Sequence, residues 1–450
     1  MTTQTHAPTN TPTHAHAALS TLKALLRLDT SNPPGNETPA AELLAETLFG
    51  AGLEPRLLHK SAGRDNVVVR LKGDGTLPPL LLHAHLDVVP AEAEKWSMPP
   101  FSAEEKDGWV WGRGAIDCKH MAAMSAHVLI ALKEEGRTLK RDIILAGAAD
   151  EEAGCIHGSK FLVNEHADLL RAEYALGEVG AFPLDIGPVR YWPIQVAEKG
   201  TVRLTLTARG DPGHGSMPHG NQAVLHLANA LHKLGGARLP LHITPAVRRF
   251  IEQLASTQPI PARLALPLLL NEKTAGFVVD NVLPAHLRAS FAAALADTVS
   301  ATVLRAGDKV NVIPSEARAQ LDGRTLPGHD ARDLVREVRE RIGADVEILV
   351  ESEDPPLTFS PDTPLFALLV DELKQADPGG IPVPYMIPGY TDAKAYGRLG
   401  TVCYGFAPTR FPKGSVVFSK MYHGHDERVH AEGFRWGFDV LHRVVRRWST

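Results

Sequence analysis

The chain has 450 residues, of which 44% are hydrophobic and 22% charged, with a formal net charge of -5. That length predicts two or three domains with sizeable cores, and a pI near 6.5 without any Lys/Arg-rich block argues against nucleic-acid or membrane partners. Three scattered cysteines, Cys118, Cys155 and Cys403, exclude a disulfide framework and point to a reducing, cytoplasmic setting, and no stretch resembles a signal peptide or reaches transmembrane length.

Residues Met1 to Ala18, rich in Thr, His, Pro and Ala, read as a frayed tail. Helical apolar spacing follows over Ala17 to Arg27 and breaks at Asn32-Pro33-Pro34-Gly35-Asn36. A second helix carries Leu43, Leu44 and Leu48 behind Asn36 or Thr38 as cap. Strands are expected at Asn66 to Leu71 and Leu80 to His83, then a helix at His120 to Glu134. A strand at Ile143 to Ala148, a helix at Ser159 to Glu165 and a strand at Tyr174 to Leu176 complete the alternation of an α/β domain on a largely parallel sheet.

Near Lys199 the pattern changes. Thr201 to Ala208 alternates as a half-solvated antiparallel strand, and Val224, Leu227, Leu231 and Leu234 share one helical face within Asn221 to Leu234. A strand from Asn311 to Arg324, a helix from Asp330 to Ile342 and a strand from Val346 to Glu351 make a β-α-β-β-α-β-like unit. Residues 257–298 read as a partly helical insertion with no assigned place. Pro355-Pro356 marks the return of the first pattern, with a strand at Thr401 to Phe406 and an amphipathic helix at Ala431 to Trp448. The expected domains are therefore 1–197, an inserted 198–354, and 355–450.

Ligands of open α/β sheets bind beyond the carboxyl ends of the strands. Four such ends here carry imidazoles and acids: His83-Ala-His85-Leu-Asp87, Asp150-Glu151-Glu152, Gly177-Glu178, and the His423-Gly-His425-Asp-Glu427 loop beyond Thr401 to Phe406. A fifth element, Gly112-Arg-Gly-Ala-Ile-Asp117, sets a carboxylate after a glycine-rich turn. Taken singly, each is as well read as a surface pair or an acidic turn. Their coincidence at strand ends carries the case. Such nitrogen and oxygen donors suit zinc, with cobalt or manganese as alternatives. So many carboxylates exceed what one tetrahedral ion needs, which favours two ions sharing a bridging carboxylate.

From Asp29-Thr-Ser-Asn-Pro-Pro-Gly-Asn-Glu37 to His423-Gly-His-Asp-Glu-Arg-Val429, this order of motifs resembles the dinuclear zinc aminoacylase and carboxypeptidase family. That family includes acetylornithine deacetylase, succinyl-diaminopimelate desuccinylase, glutamate carboxypeptidase and carboxypeptidase S. The resemblance implies a zinc-peptidase-like α/β catalytic domain with an inserted ferredoxin-like α+β lid and dimerisation domain. It further implies that His85 and Glu178 hold one metal, Glu152 and His423 the other, and that Asp117 bridges them. Glu151 would be the general base, and Asp87 would orient His85. His214, within Gly213-His-Gly-Ser-Met-Pro218, would reach a partner subunit's site in a homodimer. Asn311, Arg324, Gly389 and Thr391 lie in stretches that resemble the family's substrate-binding segments. The implied substrate is a small dipeptide or N-acyl amino acid with a free carboxylate. A catalytically inactive binding protein on the same fold is the alternative.

Two departures from the family pattern stand close to these residues. His120 occupies a position usually held by glycine, and Val179 replaces the first glycine after Glu178.

Overall fold

The computed structural model describes residues 11–236, 238–415 and 418–450. By its internal contacts the chain divides into two compact units, residues 1–195, 359–383 and 391–450 in one and residues 196–358 and 384–390 in the other.

The first unit is built on a mixed sheet. Its strands run in the order Arg56–His59, Asp65–Leu71, Ile143–Ala148, Leu80–His85, Tyr174–Gly177, Val402–Gly405 and Val189–Glu198. Leu80–His85 pairs in parallel with both Ile143–Ala148 and Tyr174–Gly177, and Val402–Gly405 continues the parallel run. These strands are buried along their whole length or nearly so, which explains their unbroken apolar sequences: helices cover both faces, so no polar alternation is required. The helices Lys119–Glu135 and Ala431–Ser449 bury most of their length.

Several expectations need correction here. The first helix spans Thr11–Leu26, so it begins inside the stretch read as a tail. Ala15, Ala18, Leu19, Leu22, Leu25 and Leu26 are buried at helical spacing, and that stripe extends the helix backwards. The remainder of the tail reading, residues 1–10, lies outside the described residues. The second helix, Thr38–Gly50, is capped at Glu37 and takes no side-chain cap, because Glu37 instead holds Arg64. The strands Val189–Glu198 and Ile381–Ile387 escaped the sequence reading; Pro193, Pro382 and Pro384 interrupt them, and proline ordinarily argues against a strand interior.

The second unit carries a wholly antiparallel four-stranded sheet in the order Thr298–Ala306, Glu316–Thr325, Gly200–Arg209 and Val346–Asp354. Helices Ala223–Gly235 and Ala331–Ile342 pack Leu227, Ala230, Leu234, Leu334, Val338 and Ile342 against Val202, Leu204, Leu206 and Leu321. With its connections this is the ferredoxin-like β-α-β-β-α-β arrangement. The long strand expected from Asn311 is broken around Pro314: Val312–Ile313 pairs with Gly213–His214, and the sheet strand starts at Glu316. The edge strand Thr298–Ala306 was not foreseen, since most of its residues are exposed and show no apolar alternation.

Residues 245–295 form their own helical cluster. Thr244 caps Pro245–Thr257 by accepting from the Val247 amide, and proline at the first helical position suits that start. Val247, Phe250, Ile251, Leu254, Leu269, Val279, Phe291 and Leu295 supply a small core, and the bridge between Leu241 and Ala296 closes its stem. Among the described residues no helix is long and apolar enough to cross a membrane.

Candidate metal centre

The parallel strands of the first unit end close together and deliver the acids and imidazoles in turn. His85 is the last residue of Leu80–His85, and Glu178 follows Tyr174–Gly177 directly. Glu151 and Glu152 form a single 3-10 turn behind Asp150, which holds a left-handed φ of 66°. His85 Nε2 stands 3.1 Å from Asp117 Oδ1 and 3.3 Å from Glu178 Oε2. His423 Nε2 stands 3.3 Å from Asp117 Oδ2 and 3.1 Å from Glu152 Oε2. The two oxygens of Asp117 therefore face two different imidazoles. Each imidazole is paired in addition with one glutamate, and Glu151, Glu152 and His85 offer donor atoms within 4.8 Å of one another. All five residues that the sequence singled out as ligands are gathered, with Glu151 beside them.

Backbone geometry at the centre is tight. A Cβ on Gly177 would fall 2.0 Å from the His83 ring, so only glycine lets the strand that carries Glu178 pass His83. His423 adopts a φ of 53° and Val179 a φ of 55°, both in the left-handed region that residues with a Cβ seldom occupy.

Asp87 meets His85 with two groups: His85 Nδ1 lies 2.9 Å from the Asp87 backbone oxygen and 3.6 Å from its carboxylate. The buried carboxylate also accepts from the amides of Glu151 and Glu152 at 3.0 and 3.1 Å and from Asn32 Nδ2 at 2.8 Å. Asn32 also donates to Asp150 at 3.0 Å, and Arg64 joins Asp150 to Glu37. The Asn-Pro-Pro-Gly-Asn-Glu stretch thus helps to hold the turn on which Glu151 and Glu152 ride.

Glu427 plays a similar part for Asp117. It accepts from the amides of Gly114, Ile116 and Asp117 and from Arg113, all between 2.8 and 3.1 Å. No local pattern in the sequence marks Asn32, Glu37, Arg64, Asp150 or Glu427 for these contacts. A buried acid bonded to a row of amides leaves no periodic signature in sequence.

Electrostatics decide what this set can hold. Burial, and after it the other carboxylates, pushes Glu178 up to about 8 and raises Glu151 and Glu152. Bonds to Asp117 and Glu152 raise His423 to about 10. Against the effect of burial, bonds from His423 and His85 keep Asp117 well below the usual carboxylate range. So many acids buried together repel one another unless a cation joins them. Glu152 Oε1 is buried and has no hydrogen-bond partner, an orphan acceptor that costs free energy as it stands. Mixed imidazole and carboxylate donors with a spare oxygen fit divalent ions of the zinc type.

Cys118 and His120 lie beside this set, and Cys118 offers a donor atom within 4.8 Å of those of His85 and Glu178. Burial pushes the Cys118 thiol up and His120 down to about 4, and Cys118 Sγ accepts from the His85 amide at 3.2 Å. Asp392, in the same stretch as Gly389 and Thr391, is buried, and burial raises it to about 6, with Oδ2 unpartnered.

The other candidates lie elsewhere in the chain. In the second unit, His214 is exposed with Nδ1 2.8 Å from Ser216 Oγ, and Asn311 is exposed while its backbone oxygen accepts from Gly215. Arg324 is partly buried and places Nε and an Nη on Asp322 at 2.9 and 3.1 Å. Gly389 belongs to the second unit and Thr391, buried, to the first, where its hydroxyl accepts from the Ala393 amide.

A model of peptidase family M20/M25/M40 matches residues 81–447. The N-fatty-acyl-amino acid synthase/hydrolase PM20D1 of Xenopus tropicalis is 29% identical over 87% of this chain and 77% of its own length. A probable carboxypeptidase S-like protein of Dictyostelium discoideum is 28% identical over 85% and 74%. Among solved structures, an M20 family metallo-carboxypeptidase of Sulfolobus solfataricus superposes with a TM-score of 0.72 at 19% identity, covering 95% of this chain and 98% of that one.

Proposed function

Because the chain belongs to peptidase family M20/M25/M40, a family of hydrolases, we propose that it cleaves an amide bond in a small dipeptide or N-acyl amino acid ending in a free carboxylate, with two divalent metal ions as cofactors. The single observation that carries this reading is Asp117, whose two oxygens face His85 and His423 separately. In this reading His85 and Glu178 hold one ion, Glu152 and His423 hold the other, and Asp117 is shared. Zinc is the proposed metal, as the donor set suits it. When bound, such ions supply the Lewis-acid charge that makes water a competent nucleophile near neutral pH.

The chain's own groups do the rest. Glu151 accepts a proton from the attacking water and returns it to the leaving nitrogen, the usual exchange of a general base for a general acid. Its neighbour Glu152 points an oxygen at His423, which supports different duties for the two acids. Asp87 keeps both in place by accepting from their amides. Arg324 is proposed to bind the substrate carboxylate with its two-pronged guanidinium, for which it must exchange Asp322. Asn311, Gly389 and Thr391 are proposed to line the substrate.

We further propose a homodimer joined through the second unit, with His214 serving the partner subunit's site. The exposure of His214, and of Val224, Leu225 and Leu304 at 40%, 53% and 62%, supports that reading. Cys118, Cys155 and Cys403 are buried and joined in no disulfide, which supports a cytoplasmic setting.

The test is elemental analysis joined to a substrate panel. Metal-saturated protein should hold two ions that depend on Asp117, and should hydrolyse dipeptides or acyl amino acids until a chelator removes them. Protein that keeps its metal yet hydrolyses no member of a panel of short and long acyl chains would instead be the inactive binding protein.

A further inference from the structure

The second unit carries a separate set of histidines and carboxylates, drawn from four points of the chain. His242 follows the Leu241–Ala296 bridge and Asp297 follows its other half. His329 lies in the turn before the Ala331–Ile342 helix, on which Glu337 sits. His242 Nε2 is 2.6 Å from Glu337 Oε1, His329 Nδ1 is 2.8 Å from Asp297 Oδ2, and the two rings meet edge to face at 4.4 Å. His242, His329 and Glu337 each offer a donor atom, and these lie within 4.8 Å of one another. Asp297 is 1% and Glu337 5% exposed, and Glu337 Oε2 is buried with no hydrogen-bond partner.

We propose that His242, His329 and Glu337 bind one divalent transition-metal ion of the zinc type, with Asp297 orienting His329. Two histidines and a glutamate are a ligand set that zinc accepts with a fourth position left for water. A ligating histidine ordinarily gives its other ring nitrogen to a carboxylate, and His329 Nδ1 already meets Asp297. The backbone prearranges the group: the Leu326 amide donates to Asp297 Oδ1 at 2.7 Å, and the His242 amide donates to the Leu295 carbonyl at 2.6 Å.

The competing account makes these two ordinary ion pairs. That would leave the buried Glu337 Oε2 unsatisfied beside two rings 4.4 Å apart. One cation between the rings gives that oxygen a partner. Lys199 bears on Asp297, and His242 and His329 bear on Glu337. Both histidine side chains are partly exposed, at 31% and 21%, which gives an ion a way in. The ion would tie the stem of the helical cluster, residues 242–297, to the Ala331–Ile342 helix. It acts as a staple and is independent of the centre at Asp117.

The test uses the full chain, saturated with zinc and then freed of excess. Wild type should hold one more zinc per chain than His329→Gln or Glu337→Gln, while turnover by both variants stays within a few-fold of wild type. Added zinc should raise the melting temperature of wild type more than that of either variant. Crystals of the wild type should give an anomalous peak at the zinc edge between His242 and His329, resolved from any peaks at Asp117. Equal zinc content in wild type and variants, or no peak between the two rings, would overturn the proposal and leave two plain ion pairs. Should the variants fail to fold, the wild-type anomalous map alone decides.

Discussion

The acids at the sheet ends of the first unit and the candidate residues of the second are held in opposite ways. His85, Asp117 and Glu178 are almost wholly buried, and the turn with Glu151 and Glu152 is pinned by its own amides. His214 and Asn311 are exposed, and Arg324 rests on an acid of its own strand. Buried, prearranged groups carry a chemistry that tolerates little displacement. Exposed groups on a strand or loop suit partners that arrive, whether substrate or a second subunit. The contrast makes the first region the place where small changes should cost most.

Glu151→Gln tests that end of the contrast. Turnover should fall roughly a hundred- to ten-thousand-fold, the usual contribution of a general acid-base group, with metal content kept. Steady-state kinetics beside elemental analysis reads both, and loss of metal would exchange the roles of Glu151 and Glu152. Mixing that variant with His214→Ala then probes the exposed region. Activity should return in the exchanged mixture and be absent from either parent; exchange without recovery removes His214 from the partner's site.

Arg324→Lys should lower kcat/KM for free-acid substrates by about ten- to a hundredfold, the scale of one charge-assisted pair. Amidated substrates should already be poor and lose little more. Equal losses on both would assign Arg324 to the sheet through Asp322. Asp87→Asn sets a donor against the Glu151 and Glu152 amides and should weaken metal affinity or activity by roughly ten- to a hundredfold. Zinc competition titration measures it, and unchanged affinity with unchanged turnover would show that the backbone alone fixes the turn.

Val179→Gly should have the smallest effect. A left-handed residue with a Cβ costs about 1–2 kcal/mol and glycine costs about 0.5–1 kcal/mol of chain entropy, so a gain of no more than about 1.5 kcal/mol is expected in denaturant melts. A clear loss would mean that the Val179 side chain, itself partly buried, packs usefully beside Glu178.

Where local pattern and final structure agree, sequence sufficed. The strands Ile143–Ala148 and Leu80–His85, the helix Ala331–Ile342 and the strand-end acids could be read directly, because burial on both faces or one face writes a run or a period into the chain. The family resemblance extended that reading to the set His85, Asp117, Glu152, Glu178 and His423. Only the tertiary structure decided that the two oxygens of Asp117 face different imidazoles, and that the Asp87 carbonyl oxygen is nearer His85 Nδ1 than its carboxylate is. It alone brought His242, Asp297, His329 and Glu337 together, and it alone put Asn32 and Glu427 to work. The reason is physical. Periodicity records which side of an element faces the core, whereas a hydrogen bond between residues a hundred or more positions apart records only where the chain happens to return.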